Sequence, residues 1–236
     1  MLSNQVFYHG ITRKIIVAFG SLFSSIYIDR KEGDSVTGTT VQRLQVPLAY
    51  APKEKWVVRI EQDPSLEHHV YTTLPRLSFE ITGMQYDASR KTNRMSRISC
   101  GQSTEDGNTL TSVYAPVPYN IDISLYALTK TQEDGLQIIE QILPFFGPEF
   151  TMSVMAIPEQ NITLDVPVIL NSVSSEDNYD GDFQTRRFVT WTMNFTLKTQ
   201  LFGPSSGSGI IRHAEVDISN LKLNYHADGL DDGSIT

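Results

Sequence analysis

The chain has 236 residues, of which 40% are hydrophobic and 19% are charged, so it can form a substantial core and is not a disordered polymer. Its 19 Lys and Arg against 27 Asp and Glu give a net charge of −8, which disfavours general duplex binding but permits a local basic patch. The single cysteine excludes an intramolecular disulfide and a cysteine-cluster metal site. Since no apolar stretch approaches the ~18 residues of a membrane span, no membrane partner is expected.

The beginning of the chain predicts an amphipathic helix. Apolar residues recur at helical spacing between Phe7 and Leu22. A secretory signal is the alternative, because Arg13 and Lys14 precede an apolar run. No small-x-small cleavage site follows that run cleanly, so the helix is favoured.

Two strands and a short helix are expected next. Residues 26–30 and 40–50 have strand composition and flank a Gly- and Thr-containing turn at 32–39. Pro52 suits the first position of a helix, which would run over residues 53–62 and end before Asp-Pro. Its buried side would carry Trp56, Val57 and Ile60.

The middle of the chain predicts two strands that are separated by a long loop. Residues 76–86 and 119–128 alternate between apolar and polar side chains. Residues 88–112 show almost no apolar periodicity, so a loop of about 25 residues is expected there, which is far longer than a usual connection.

A third helix should follow. Thr131 is the expected N-cap, and Glu133 and Asp134 in the first turn suit the positive end of the helix dipole. Pro144 would end the helix. The predicted buried residues are Leu136, Ile139 and Leu143, widened by Ile138 and Ile142.

The remainder is rich in strands. Three strands are predicted at residues 150–157, 162–173 and 188–201. Pro167 suggests that the second of them is an edge strand or contains a bulge. Residues 203–209 have the composition of a flexible linker, and one more strand is possible over 210–224 before an acidic tail. The fold class is therefore α+β, with a mostly antiparallel sheet core, about three helices, long inter-strand loops and a C-terminal arm.

The residues offer little for catalysis or for metal binding. The five histidines, at positions 9, 68, 69, 213 and 226, lack the spacing of a zinc motif. Cys100 has no histidine near it in sequence, and no nucleophile-elbow, Walker A or dinucleotide-binding motif occurs. The acidic turn at 174–182 lacks the closing glutamate of a calcium loop. No catalytic residue, metal ligand or cofactor is predicted.

A basic cluster is the strongest charge anomaly. Four cations lie within eight residues that contain no acid: Arg90, Lys91, Arg94 and Arg97. The cluster is either a solvated loop that pairs with acids of its own fold, or a contact with an acidic neighbouring subunit or with passing phosphate. A phosphate contact of this kind is sequence-independent and sensitive to salt.

Ordered segments resemble the tail sheath stabiliser and completion proteins of T4-like contractile-tailed bacteriophages. The most specific segment is Ile-Glu-Gln-Ile-Leu-Pro-Phe-Phe at 139–146, followed by Pro-Glu-Phe at 148–150. Further matching segments lie at 19–30, 46–54, 74–86, 180–182 and 186–191. The resemblance covers residues 15–203 and not the segment beyond.

This resemblance implies a virion structural protein of the tail-terminator kind, with no enzymatic residues. Such proteins form rings, usually hexameric, with a lumen that conducts DNA. The implied partners are further copies of the chain, the tail tube protein, the tail sheath protein, neck and head-completion proteins, and passing DNA. The implied location is the tail neck of the virion. Residues 1–203 would form a terminator-like domain, and 204–236 a linker and arm.

Two other functions are compatible with the sequence. A β-rich carbohydrate- or peptide-binding module would need an exposed aromatic platform, but Trp56 and Trp191 both lie on predicted buried faces. A hydrolase would need convergent carboxylates whose pKa values are pushed apart, which the sequence does not reveal.

Overall fold

The computed structural model describes residues 6–32, 39–62, 74–104, 107–178 and 188–209. The helices are α1 (Ile11–Leu22), α2 (Lys53–Gln62) and α3 (Gln132–Ile142). The strands are β1 (Tyr27–Glu32), β2 (Thr39–Gln45), β3 (Leu48–Tyr50), β4 (Arg76–Tyr86), β5 (Arg97–Thr104), β6 (Gly107–Tyr114), β7 (Val117–Thr129), β8 (Glu149–Ile157), β9 (Ile162–Asn178), β10 (Phe188–Leu201) and β11 (Ser206–Gly209). The longest of these helices has 12 residues, and none has the length and apolarity needed to cross a bilayer.

The strands form three sheets, and the α+β prediction is confirmed. A six-stranded sheet has the order β3-β4-β7-β10-β9-β8, β1 pairs with β2, and a three-stranded sheet has the order β11-β6-β5. All pairs are antiparallel except β3 with β4. Within the described residues the six-stranded sheet is open, and β3 and β8 are its edge strands.

The core lies between one face of the six-stranded sheet and two helices. Helix α1 buries Ile11, Ile15 and Phe19, as the helical spacing predicted. Phe7 precedes the helix and is exposed, so its predicted place on the buried stripe is wrong. The ring of Phe19 lies 5.4 Å from that of Phe195 on β10, which fixes the helix on the sheet.

Helix α3 has the predicted cap and buries three of the five apolar residues predicted for its buried stripe. The hydroxyl of Thr131 accepts a hydrogen bond from the backbone N–H of Asp134 at 3.3 Å. Ile138, Ile139 and Ile142 are buried as predicted. Leu136 and Leu143 are exposed, so their predicted burial is wrong. Gly135, which is also buried, lets the helix approach Trp191 of β10 closely.

The opposite sheet face is partly covered by α2, whose bounds agree with the prediction. Trp56 is buried against Tyr126, Leu128 and Phe188, and the side chain of Ile60 lies outside the described residues. Farther along this face the strands are joined by polar side chains. Asn194 accepts a hydrogen bond from Ser124 at 2.8 Å and donates one to Ser172 of β9 at 3.0 Å.

The strand predicted over 40–50 is divided between two sheets. β2 ends at Gln45, and β3 begins at Leu48 and pairs with β4. Pro47 lies in the break, where it has no N–H to donate and its carbonyl accepts the N–H of Leu77 at 2.9 Å. The centre of the preceding turn, 33–38, lies outside the described residues.

The long loop predicted over 88–112 is wrong, because most of it is a β-hairpin. β5 and β6 pair from Arg97 opposite Tyr114 to Thr104 opposite Gly107. The strands contain many Ser and Thr residues and bury few apolar side chains, so they lack the apolar alternation on which the prediction depended. The Asp-Gly pair at 106–107 is a hairpin signal that could have identified the turn.

The segment after residue 203 begins with a strand rather than a linker. Ser206–Gly209 forms β11 and pairs with β6, with Ser206 opposite Ser112 and Gly209 opposite Thr109. Backbone pairing therefore orders a segment whose Gly-Ser composition predicted flexibility. Residues 210–236 lie outside the described residues, and a domain boundary at 203 stays a prediction.

Pro167 does not mark an edge strand along its whole length, because β9 lies between β8 and β10. The pairing of β9 with β10 begins at Val168, opposite Leu197, and Pro167 precedes it. At its own position Pro167 pairs only with Thr151 of β8. An interior strand tolerates proline there because the second ladder has not begun.

We expect Gly135→Ala to destabilise the protein, although alanine normally favours a helix interior. An added Cβ would lie 2.8 Å from Cδ1 of Trp191 and would also collide with Nε1 of that ring. The expected loss in the free energy of unfolding is about 1–3 kcal/mol, measured by denaturant titration. Gly101→Ala is the control, because its Cβ meets nothing within 4 Å. Equal stability of the two variants would contradict this packing.

Candidate interaction surfaces

The basic cluster begins in a short turn that is ordered by a carboxylate. Asp87 precedes the 3₁₀ turn Ala88–Arg90 and accepts the backbone N–H of Ser89 at 3.0 Å. It also accepts the Ser89 hydroxyl and, at 2.7 Å, the Nε–H of Arg90. These hydrogen bonds hold the pKa of Asp87 well below its ordinary value, and the bond from the Ser89 side chain has the largest effect.

Arg90 is occupied by its own fold. Besides Asp87, its guanidinium donates to the amide oxygen of Asn120 at 2.8 Å and to the carbonyl of Tyr119 at 3.3 Å. The eight-residue cluster has no acid within it, but Asp87, three residues before, compensates Arg90. The prediction of a solvated loop that pairs internally is met at this one position.

Arg97 is also engaged, in a different way. Its guanidinium carbon lies 4.5 Å from the centre of the Tyr114 ring, and Nη2 donates to the Tyr114 hydroxyl. The two residues are directly opposite in the β5–β6 ladder, so the hairpin register produces this contact. Both side chains remain exposed to solvent.

Lys91 and Arg94 are the two exposed cations of the cluster that have neither an ion pair nor an aromatic contact within the described residues. Their segment is held by the hydroxyl of Thr92, which donates to the carbonyl of Pro116 at 3.2 Å. Met95 beside them is 80% exposed. The structure therefore separates two cations with internal partners from two that face outward beside an apolar side chain.

A second surface feature is an apolar groove of about 660 Å³. It lies where the C-terminal ends of α1 and α3 meet the beginning of β8. Phe23 and Phe146 stack there with ring centres 6.3 Å apart, and Phe150 of β8 forms part of the wall. Phe145 projects at the rim and is 69% exposed.

The third feature is the outer edge of β8, which has no paired strand within the described residues. Met152, Val154 and Ala156 are buried, whereas Ser153 and Met155 are exposed. The register with β9 shifts between Met155 and Ile157, and the carbonyl of Ala156 accepts the ammonium of Lys14 at 3.0 Å. The edge is thus regular from Glu149 to Met155, and it is irregular and bonded to Lys14 at its far end.

The remaining candidate residues do not converge. His9 donates to the carbonyl of Gly203 at 2.8 Å, and the other four histidines lie outside the described residues. Cys100 is half-buried. The acidic turn predicted over 174–182 is wrong for its first five residues, because β9 extends to Asn178; Glu176 within it pairs with Lys53 at 3.3 Å. Within the described ranges no group of three or more His, Cys, Asp or Glu side chains could hold a metal ion.

Neither tryptophan provides the exposed platform that a carbohydrate-binding module would need. Trp56 is buried, with the Arg76 guanidinium 4.1 Å from its ring centre. Trp191 is partly buried in the main core. The burial predicted for both residues is met by Trp56 and in part by Trp191.

Comparisons with known proteins agree with the resemblance carried by the sequence segments. A family model described as the T4-like virus Myoviridae tail sheath stabiliser matches residues 6–232. The tail completion protein gp15 of Enterobacteria phage T4 is 28% identical over 221 residues, which is 89% of this chain and 78% of that protein. The family match extends past residue 203, where the segment resemblance ended.

We expect the cations of the cluster to differ in their effect on stability. Arg90→Ser should lower the melting temperature because it removes three hydrogen bonds and leaves Asp87 without its cation, whereas Arg94→Ser should leave it unchanged. The difference should be largest near neutral pH and shrink as the pH falls below ~4, because a carboxyl with a lowered pKa loses its stabilisation on protonation. Thermal melts between pH 2 and 7 test this, and equal effects at pH 7 would contradict it.

Proposed function

The chain belongs to the tail sheath stabiliser family of T4-like myoviruses, and from that membership we propose that it closes the head-proximal end of the tail as a ring. It is a structural protein of the phage tail. The observation that carries the proposal is the family match over residues 6–232. In the proposed function the protein acts by assembly and not by catalysis.

The ring would contain six copies and would sit on the last ring of the tail tube. There it would stop tube growth, hold the top of the sheath and join the tail to neck and head-completion proteins. Its lumen would conduct the DNA, and its place in the virion would be the tail neck. A closed ring repeats each contact around the axis, so individually weak contacts become collectively strong.

The described surfaces support a role in assembly. The groove beside Phe145 and the edge of β8 are suited to protein contacts, since one is apolar and the other presents unpaired backbone groups. The hairpin of β5 and β6 extends the reach of the chain beyond its main sheet. The hairpin belongs to a different sheet from β8 and the groove, so one subunit can contact more than one neighbour.

Within the basic cluster we assign the contact role to Lys91 and Arg94. Arg90 and Arg97 would position the loop, because the first is bonded to Asp87 and the second is stacked on Tyr114. The contact would be with an acidic surface of a neighbouring subunit or with DNA in the lumen. Either contact would weaken as salt is added.

Purified protein should form a ring in solution or on the ends of tail tubes. Six copies of the 26.5 kDa chain correspond to about 159 kDa, which native mass spectrometry or sedimentation can resolve. Tails that lack the protein should remain unjoined to heads, and supplying it should restore joined particles. A chain that stays monomeric even with tube ends, together with normal particles in its absence, would contradict the proposed function.

Lys91→Ser with Arg94→Ser should weaken ring formation or tail joining without changing the melting temperature, because both side chains are exposed. The loss should be about tenfold at low salt and smaller at high salt, as for exposed charge contacts. Arg13→Ser with Lys130→Ser is the matched control, since it removes the same charges from exposed positions elsewhere. Unchanged assembly and joining would show that the loop is not an interface.

A further inference from the structure

The edge of β8 and the apolar groove form one continuous surface, and the C-terminal arm has the sequence pattern that fits it. We propose that residues 211–225 of one copy add as a strand to β8 of the next copy and place their apolar side chains in the groove. This proposal rests on the proposed ring, because it describes how neighbouring copies of that ring are joined.

Phe150 connects the two features. It belongs to β8 and also lines the groove, together with Phe146 and Phe23. Met152 and Val154, which follow at alternate positions of β8, are buried in the core on the same side of the strand. A strand added outside β8 would therefore direct every second side chain toward this apolar surface, while its backbone pairs with the open edge.

The arm contains the alternation that such a strand needs. Ala214, Val216 and Ile218 alternate with Glu215, Asp217 and Ser219. After a shift of one residue, Leu221, Leu223 and Tyr225 alternate with Lys222 and Asn224. Each of these two runs has one apolar and one polar face at period two, which is the pattern of a half-buried strand. A bulge between Ser219 and Leu221 would bring both apolar faces to the same side.

The arm leaves the described part of the chain at the end of β11. Gly209 ends β11 opposite Thr109, next to the turn of the β5–β6 hairpin. Gly203 is held by His9 at the N-terminal end of α1, whereas the groove lies at the C-terminal end of that helix. The two ends of the 12-residue helix are about 18 Å apart, and β11 carries the chain from Gly203 along β6 as far as Thr109.

The connection between β11 and the added strand is short. The strand would begin at residue 211, so only Ile210 follows Gly209 before it, and residue 211 lies within ~7 Å of Gly209. In the proposed ring, β8 of the next copy must therefore lie beside the end of β11. The acidic residues Asp228, Asp231 and Asp232 lie beyond the added strand and would remain outside the apolar groove.

Two full-length variants test the proposal when they are mixed. Val216→Asp with Ile218→Asp impairs the arm and keeps the groove, whereas Phe145→Glu impairs the groove and keeps the arm. Each variant alone should lose the ring, with self-association weakened about 100-fold or more, because a carboxylate would be buried without a partner. Mixed together they should form one-to-one complexes, since the intact arm of one finds the intact groove of the other.

Two matched variants control for charge and for surface change. Val17→Glu adds a carboxylate at a side chain that is 65% exposed and lies outside the groove, against 69% for Phe145, and should keep the ring. Glu215→Gln with Asp217→Asn alters the polar side of the arm and should also keep it. Backbone amides of 149–157 should exchange more slowly in the wild-type ring than in either impaired variant.

The outcomes separate this proposal from the proposed function. If the wild type and both impaired variants form rings equally well, arm exchange is wrong while the ring stands. Impaired variants that stay monomeric when mixed would also overturn arm exchange, because an arm bound within its own copy gives that result. A wild type that forms no ring, alone or on tube ends, removes both proposals.

Discussion

The packing of Phe19 against the six-stranded sheet is the constraint on which the rest of the molecule depends. Its side chain is fully buried, and its ring lies 5.0–5.4 Å from those of Phe23, Phe79 and Phe195. Because these rings come from α1 and from two strands of the sheet, they fix the helix at one place and angle. The beginning and the end of α1 are thereby placed as well: His9 reaches Gly203 at one end, and the groove forms at the other.

The surfaces proposed for assembly are consequences of that core. Strands β7 and β10 occupy the middle of the sheet and bury apolar side chains, and the strands at the two ends of the order have an edge that no described strand covers. β3 at one end has three residues, whereas β8 at the other has nine. The longer edge adjoins the groove, and it is therefore the place where a further strand gains both backbone pairing and apolar burial.

The basic cluster illustrates how partners, rather than residue type, decide the role of a charge. Arg90 donates to the carboxylate of Asp87 and to the amide oxygen of Asn120, both within 2.8 Å, and these bonds hold the loop on the sheet. Arg94 lies four residues later and is exposed, with no ion pair within the described part of the chain. The sequence alone does not distinguish the two arginines, because Asn120 on β7 comes within hydrogen-bond distance of Arg90 only when the chain has folded.

The sequence by itself determined the elements that repeat a local pattern, including the bounds of α2 and β4 and the cap of α3 by Thr131, because side-chain period and capping depend on neighbouring residues. It also determined the family, through the order of its segments. Only the tertiary structure decided the hairpin of β5 and β6, the pairing of β11, the exposure of Leu136 and Leu143 on and after α3, and the division of the basic cluster. Those features depend on backbone ladders and close approaches between residues far apart in the chain, and such contacts leave no periodic signal in either partner alone.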